Sequence, residues 1–334
     1  MKIAIVGAGA IGGLLGARLS LAGEDVAFIA RHRNLLAIEQ HGIRLVESDG
    51  RELHAPRVRA YAEGSEAGPQ DAVLLAVKAH QVQEAMPALQ GLLGPATAVV
   101  SMSNGLPWWY FQRLPGRFRD QVLESVDPGG AIGAAIEPER VIGSVVYAAA
   151  EVVEPGKVRA IEGKRFVLGE PDGRQSGRIE ALAEVLERAG FEAPISKDIR
   201  GDIWLKLWGN LCFNPVSALS HATLEGICRD PDGRALVEAM MKEARAVAKK
   251  LGVVLRMPID KRIAGAEAVG AHKTSMLQDV EHGRPLELAA LVGSVVELGR
   301  ITGVPTPSIE AIHHIAALLS RTLAARGSGL TLAA

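Results

Sequence analysis

The strand-like run Lys2-Ile-Ala-Ile-Val6 breaks directly into Gly7-Ala8-Gly9-Ala10-Ile11-Gly12, and an apolar stretch continues to Ala22. Few patterns restrict a fold so tightly. At a strand-to-helix junction, the first glycine of G-x-G-x-x-G makes the tight turn and the second bares the backbone. The third lets helix and strand pack closely. The helix start also offers unpaired N–H groups and a positive dipole end, which suit a pyrophosphate. Gly7, Ala8, Gly9, Ala10, Ile11 and Gly12 are therefore predicted to bind the phosphates of a dinucleotide. Residues 3–17 could pass for the apolar region of a signal peptide, but their five glycines favour the turn reading.

The rest of the chain fits that start. Short apolar runs at Asp25 to Ala30, Ile43 to Val46, Ala72 to Val77 and Ala98 to Met102 alternate with helical patterns such as Ile11 to Ala22 and Gln81 to Leu92. Such alternation predicts a doubly wound, mainly parallel α/β sheet. Gly143 to Val153, Lys157 to Ile161 and Phe166 to Gly169 read as antiparallel additions, with turns at Glu154-Pro155-Gly156 and Glu162-Gly163. A helix at Gly177 to Ala189 and a short strand at Phe191 to Ser196 close this part. After about Lys197 the period becomes 3.6, over Ile199 to Phe213, Gly233 to Leu251, Ser275 to Glu281, Leu286 to Thr302 and Thr306 to Ala325. The expected organisation is a Rossmann-like domain over 1–197, an all-helical domain over 198–325 and a frayed tail over 326–334.

Charge and cysteine usage exclude several classes. With 37 Lys+Arg against 38 Asp+Glu, the bulk charge offers no pull toward nucleic acid or an anionic membrane, which leaves only local patches. Apart from the glycine-rich start, no stretch reaches the roughly 18–20 apolar residues of a membrane span. Cys212 and Cys228 cannot build a disulfide framework or a zinc site, so a cytoplasmic protein is expected. His313 and His314 are adjacent and H-E-x-x-H is absent, so no metal is expected either.

At the end of the second strand, an acidic residue would grip the ribose of NAD. Here the strand ends Phe28-Ile29-Ala30-Arg31. Arg31 offers a planar fork for a 2′-phosphate, which predicts NADP(H); a solvated basic turn is the bland alternative. Lys78 and Asn104 follow the strands at Ala72 and Ala98, where ligand crevices of such sheets open. A snorkelling lysine and a turn before Gly105 are the structural alternatives.

The most informative helix runs from Asp202 to Pro215. Lys206, Asn210 and Asn214 stand at i, i+4 and i+8, hence on one face, while tryptophans, leucines and Phe213 surround them. A helix so apolar is buried, and a buried lysine needs polar partners or a purpose. Ser275 and Gln278 have the spacing of a capping box. Glu287, at a helix start, also suits the dipole.

Taken together these blocks resemble the ketopantoate reductase (2-dehydropantoate 2-reductase) family. They are GAGAIG at 7–12, Arg31, VKA at 77–79, NG at 104–105, KLWGNLCFNP at 206–215, SMLQD at 275–279 and Glu287. The resemblance implies an NADP-binding Rossmann domain joined to a helical domain, reducing a 2-oxo acid. It also implies that Lys206 and Glu287 are catalytic, that Asn104, Asn210, Asn214 and Ser275 hold substrate, and that Asn104 and Glu287 also meet the cofactor. Glu287 then lies near substrate hydroxyl and cofactor, and Lys78 near the cofactor. An ammonium beside a carbonyl being reduced stabilises the charge on its oxygen and returns a proton.

Two positions depart from the family pattern, which has asparagine where this chain has Leu224 and His272. A lost hydrogen-bond partner weakens a substrate hydroxyl by roughly 1–3 kcal/mol. A paralogue reducing another 2-oxo acid therefore stands beside ketopantoate itself. A β-hydroxyacid dehydrogenase also carries a helix-borne lysine, but SMLQD argues against it. A non-catalytic NADP-sensing protein needs Arg31 and the glycines but neither Lys206 nor Glu287. The apolar stretches Leu286 to Leu298 and Ile309 to Leu323 suit either a core or the seam of a homodimer.

Overall fold

Nine strands form one mixed sheet in the order β4-β3-β9-β8-β7-β6-β1-β2-β5. The computed structural model describes residues 1–331. The strands are β1 (Lys2–Val6), β2 (Asp25–Ile29), β3 (Ile43–Val46), β4 (Glu52–Ala55), β5 (Arg59–Tyr61), β6 (Gln70–Leu75), β7 (Leu93–Ser101), β8 (Val141–Glu154) and β9 (Lys157–Gly169). All pairs among β5, β2, β1, β6, β7 and β8 are parallel, while β8–β9 and β3–β4 are antiparallel. The chain moves one way from β1 to β2 and the other way to β6, so the strand order reverses at β1. That reversal opens a crevice beyond the strand carboxyl ends. The sheet is Rossmann-like, as the alternating pattern predicts.

The helices of this part are α1 (Ala10–Leu21), α2 (His32–His41), the short α3 (Gly64–Ala67), α4 (Val82–Ala85) and α5 (Ala131–Ala135), and α6 (Gly177–Arg188). Ile3, Ile5, Leu14, Leu15, Phe28, Val100 and Phe166 are at most 2% exposed and form the core between sheet and helices. Each such side chain contributes about 1.5–3 kcal/mol on burial. Three expectations need correction. Gln81 to Leu92 is not one helix but 3₁₀ turns around α4, because Pro87 removes an amide donor. Glu162-Gly163 is a bulge inside a continuous β9, not a turn. Phe191 to Ser196 makes only isolated bridges, Arg165 to Glu192 and Leu168 to Ile195.

The second part is helical: α7 (Ile199–Ser220), α8 (Leu224–Arg229), α9 (Pro231–Lys250), α10 (Ile259–Glu267), α11 (Ser275–Glu281), α12 (Ser294–Thr302) and α13 (Pro307–Arg326). α7 continues through Pro215 to Ser220, beyond the expected end at Phe213. Burial of Phe213, Val216 and Ala218 outweighs the roughly 3 kcal/mol that an internal proline costs. A single helix over Leu286 to Thr302 is also corrected, since a π-helical turn at Ala289–Gly293 precedes α12. Gly327 caps α13, and the Leu330 N–H donates to the Val280 carbonyl, so the start of the expected tail is anchored. Residues 332–334 of that tail lie outside the described residues.

Compactness divides the chain into 1–103, 107–122 and 127–199 as one unit, and 104–106, 123–126 and everything from Arg200 as the other. Asn104 thus belongs with the helices, although it follows β7. Among the described residues no helix is long and apolar enough to cross a membrane, and no three His, Cys, Asp or Glu side chains are placed to hold a metal ion.

Candidate active site

In the sheet unit the glycine turn has the geometry its sequence requires. Gly7 has φ of +105°, and a Cβ there would lie 2.7 Å from Val77 Cγ1. A Cβ on Gly12 would lie 2.0 Å from the Gly7 carbonyl oxygen, so only glycine fits. A Cβ on Gly9, by contrast, would meet nothing within 4 Å. Gly9 is the N-cap of α1 and no side chain caps that helix, so the start of α1 keeps backbone N–H groups for a phosphate. The residues present therefore fit a dinucleotide's pyrophosphate.

Arg31 lies two residues beyond β2 as the exposed N-cap residue of α2, and its Nη2 donates to the Glu84 carbonyl at 2.9 Å. The guanidinium keeps further donors for a 2′-phosphate. Lys78 is half-buried, three residues beyond β6. One residue here was not anticipated. Asn34 Nδ2 donates to the Ala8 carbonyl at 3.0 Å and braces the glycine turn from α2. A lone asparagine in a polar helix gives no sign of that in sequence.

The helical unit holds a second constellation. Trp204, Trp208 and Leu211 on α7 are fully buried, and Trp208 Nε1 donates to the Met241 carbonyl at 2.9 Å. That packing fixes the rotation of α7 and the direction of its polar stripe. Lys206 Nζ donates to Asn104 Oδ1 at 2.7 Å, and Asn104 Nδ2 reaches Glu287 Oε2 at 3.5 Å. Burial pulls the Lys206 pKa from its ordinary value down to about 8, and the Glu287 charge works against that fall. The ammonium is thus sheltered yet predominantly charged at neutral pH.

The other expected residues are placed less decisively. Asn210 is half-buried and Asn214 is 6% exposed on the same face of α7. Eight residues of helix put Asn214 about 12 Å along the axis from Lys206. Ser275 is exposed at the first position of α11, where Thr274 is the N-cap and accepts from Leu277 N–H at 3.3 Å. The capping-box reading of Ser275 and Gln278 is therefore corrected, which leaves the Ser275 hydroxyl available. The Leu224 N–H donates to the His272 carbonyl at 3.0 Å, so the two atypical positions are neighbours. Asp279 accepts from Arg284 Nε at 2.8 Å and closes the loop that leads to Glu287. Sequence reasoning missed this pair, although Asp279 lies in SMLQD.

A glycine-rich phosphate turn on a switch-point sheet, with a sheltered lysine–amide–carboxylate chain on buried helices, defines a nicotinamide-dependent oxidoreductase. The family model for Ketopantoate reductase PanE/ApbA matches residues 3–173, and its C-terminal counterpart matches residues 198–320. The chain belongs to the ketopantoate reductase family, an NADP-dependent group acting on CH–OH and C=O. It is 53% identical to the 2-dehydropantoate 2-reductase of Mesorhizobium japonicum, over 98% of this chain and 99% of that one. Identity to the 2-dehydropantoate 2-reductase of Archaeoglobus fulgidus is 31%, over 91% and 92%. A crystal structure from Ralstonia solanacearum MolK2, of a protein assigned to the ketopantoate reductases, superposes with a TM-score of 0.92. It is 44% identical and covers 97% of this chain and 98% of that one.

Proposed function

We propose that this protein reduces 2-dehydropantoate (ketopantoate) to pantoate with NADPH, as a step of pantothenate biosynthesis in the cytoplasm. The observation that carries the reading is the ammonium of Lys206, sheltered and bonded to Asn104 with Glu287 beyond it. The sheet unit holds the cofactor through Gly7 to Gly12, Arg31 and Lys78. The helical unit supplies the groups that act on substrate. NADPH, when bound, supplies the hydride that the carbonyl carbon receives.

Everything else falls to this chain's side chains. Lys206 Nζ stabilises the negative charge developing on the substrate oxygen and then gives that oxygen a proton. Its lowered pKa favours that donation, and Glu287 keeps it charged beforehand. The amides of Asn210 and Asn214 and the hydroxyl of Ser275 hold the substrate carboxylate and hydroxyl without adding charge. Self-association as a homodimer completes the reading, supported by Ile315 and Leu318, which stand exposed on α13.

Leu224 and His272 favour a second reading, in which the same chemistry serves a different 2-oxo acid. A purified sample assayed with NADPH against ketopantoate and a panel of 2-oxo acids, followed by loss of nicotinamide absorbance, decides between them. Fastest turnover of ketopantoate supports the first reading, and a strong preference for another acid supports the second. Tight NADPH binding without oxidation by any carbonyl would leave a sensor protein instead.

A further inference from the structure

The π-helical turn at Ala289–Gly293 gives both neighbours of Lys206 a common anchor. In an ordinary helix the Ala290 carbonyl would accept the Ser294 N–H; here that N–H reaches back five residues to Ala289. The Ala290 carbonyl is turned aside and takes two other donors, Leu106 N–H at 3.0 Å and Ser294 Oγ–H at 2.7 Å. Ser294 is fully buried, so its hydroxyl has little alternative.

The Leu106 bond fastens the strip Asn104-Gly105-Leu106 to the turn. Gly105 has φ of +89°, and a Cβ there would lie 2.3 Å from the Ala290 oxygen. Only a glycine lets the strip approach so closely. The turn's other end receives Glu287, whose carbonyl accepts Leu291 N–H at 3.2 Å. One irregular turn therefore carries Glu287 at its start and Asn104 on its displaced carbonyl.

We infer that the π turn, with Gly105 and Ser294, is a positioning device that sets Asn104 and Glu287 around the Lys206 ammonium. The inference rests on the reductase reading above. A straight α-helix here would return the Ala290 carbonyl to Ser294 N–H, release Leu106 and rotate Glu287 by about 100° relative to α12. Gly105, Ser294 and the turn touch no substrate; they act through Asn104 and Glu287.

Three variants test it: Gly105→Ala, Ser294→Ala and deletion of Ala289, which restores an uninterrupted helical repeat. Ser294→Ala removes one neutral hydrogen bond and should lower kcat about threefold to tenfold. Gly105→Ala and the deletion should lower kcat a hundredfold or more. In all three the NADPH Kd should stay within about twofold of wild type, because the glycine turn, Arg31 and Lys78 are untouched. The alkaline limb of the kcat/KM profile should move to lower pH in Gly105→Ala, as Lys206 loses the opposing carboxylate. A merely structural role would lower thermal stability and leave that limb in place. If the deletion variant does not fold, Ser294→Ala and Gly105→Ala decide. Variants with wild-type kcat and limb, in a protein that reduces a 2-oxo acid, would overturn the inference alone. A wild type inert toward every oxo acid would overturn the reading beneath it.

Discussion

Replacing Glu287 by glutamine should change the pH dependence of the reaction before it changes anything else. The substitution keeps an oxygen acceptor for Asn104 Nδ2 and removes only the charge. In the proposed mechanism Lys206 is the acid; burial brings its pKa to about 8, and the Glu287 charge opposes that fall. Activity needs the ammonium, so kcat/KM falls as pH rises through that value. For charges roughly 6 Å apart, an effective dielectric of about 20 gives about 3 kcal/mol of attraction. Solvent contact at a half-buried lysine screens this to about half, or about one pH unit. The alkaline limb should thus move from about pH 8 to about pH 7, and activity at pH 7 should fall about twofold by deprotonation alone. Below about pH 6 both enzymes keep the ammonium, so any loss there measures what Glu287 does directly to substrate. The assay is kcat/KM for the oxo acid from pH 5 to 10 at saturating NADPH. A limb that stays in place, or moves to higher pH, would refute the electrostatic link between the two side chains.

Three further outcomes follow from the same geometry. Lys206→Met should lower kcat at least about a thousandfold with unchanged NADPH affinity, since it removes both charge stabilisation and the proton donor. It should also raise stability. The native state binds the Lys206 proton less tightly than the unfolded chain, so the wild type gains stability as pH rises from about 8 to 10.5. The variant's advantage, at most about 3 kcal/mol at pH 7, should therefore fade across that range in denaturant titrations. Arg31→Ala should raise the KM for NADPH about tenfold to a hundredfold and leave that for NADH nearly unchanged, the weight of charge-assisted bonds to a phosphate. Leu224→Asn combined with His272→Asn should raise the preference for ketopantoate over oxo acids lacking a hydroxyl by about tenfold, measured as a ratio of kcat/KM values.

Local patterns were legible wherever one element alone decides the outcome. The glycine turn of 7–12 is fixed by neighbouring strand and helix, and the stripe of Lys206, Asn210 and Asn214 needs only the helical period. What stayed hidden depends on distant partners. Nothing near Asn104 says that its amide will meet a lysine 102 positions away, or that three residues following β7 will pack with the helices. The π turn is equally silent, because Ala289-Ala-Leu-Val-Gly reads as ordinary helix. The carbonyl it displaces meets the Leu106 N–H, a donor from a distant part of the chain. Over Gln81 to Leu92 the apolar spacing suggests one helix, and Pro87 is the residue in it that marks the break.

Under the proposed mechanism, Asn104 is the group that sets how readily Lys206 gives up its proton. A carboxylate in direct contact with Lys206 would offset burial and hold the proton near or above the ordinary lysine range. The neutral amide of Asn104 accepts from the ammonium at 2.7 Å without adding charge, and burial prevails over the Glu287 charge, with the pKa at about 8. The group is then charged when the carbonyl arrives and ready to release its proton when an alkoxide forms. Asn104→Asp should reverse this compromise. A charge in hydrogen-bond contact would shift the alkaline limb upward by at least about one pH unit. It would also slow proton donation at pH 7, lowering kcat about tenfold or more even though the lysine is fully protonated. A variant with unshifted limb and intact kcat would show that the amide's neutrality has no part in tuning the acid.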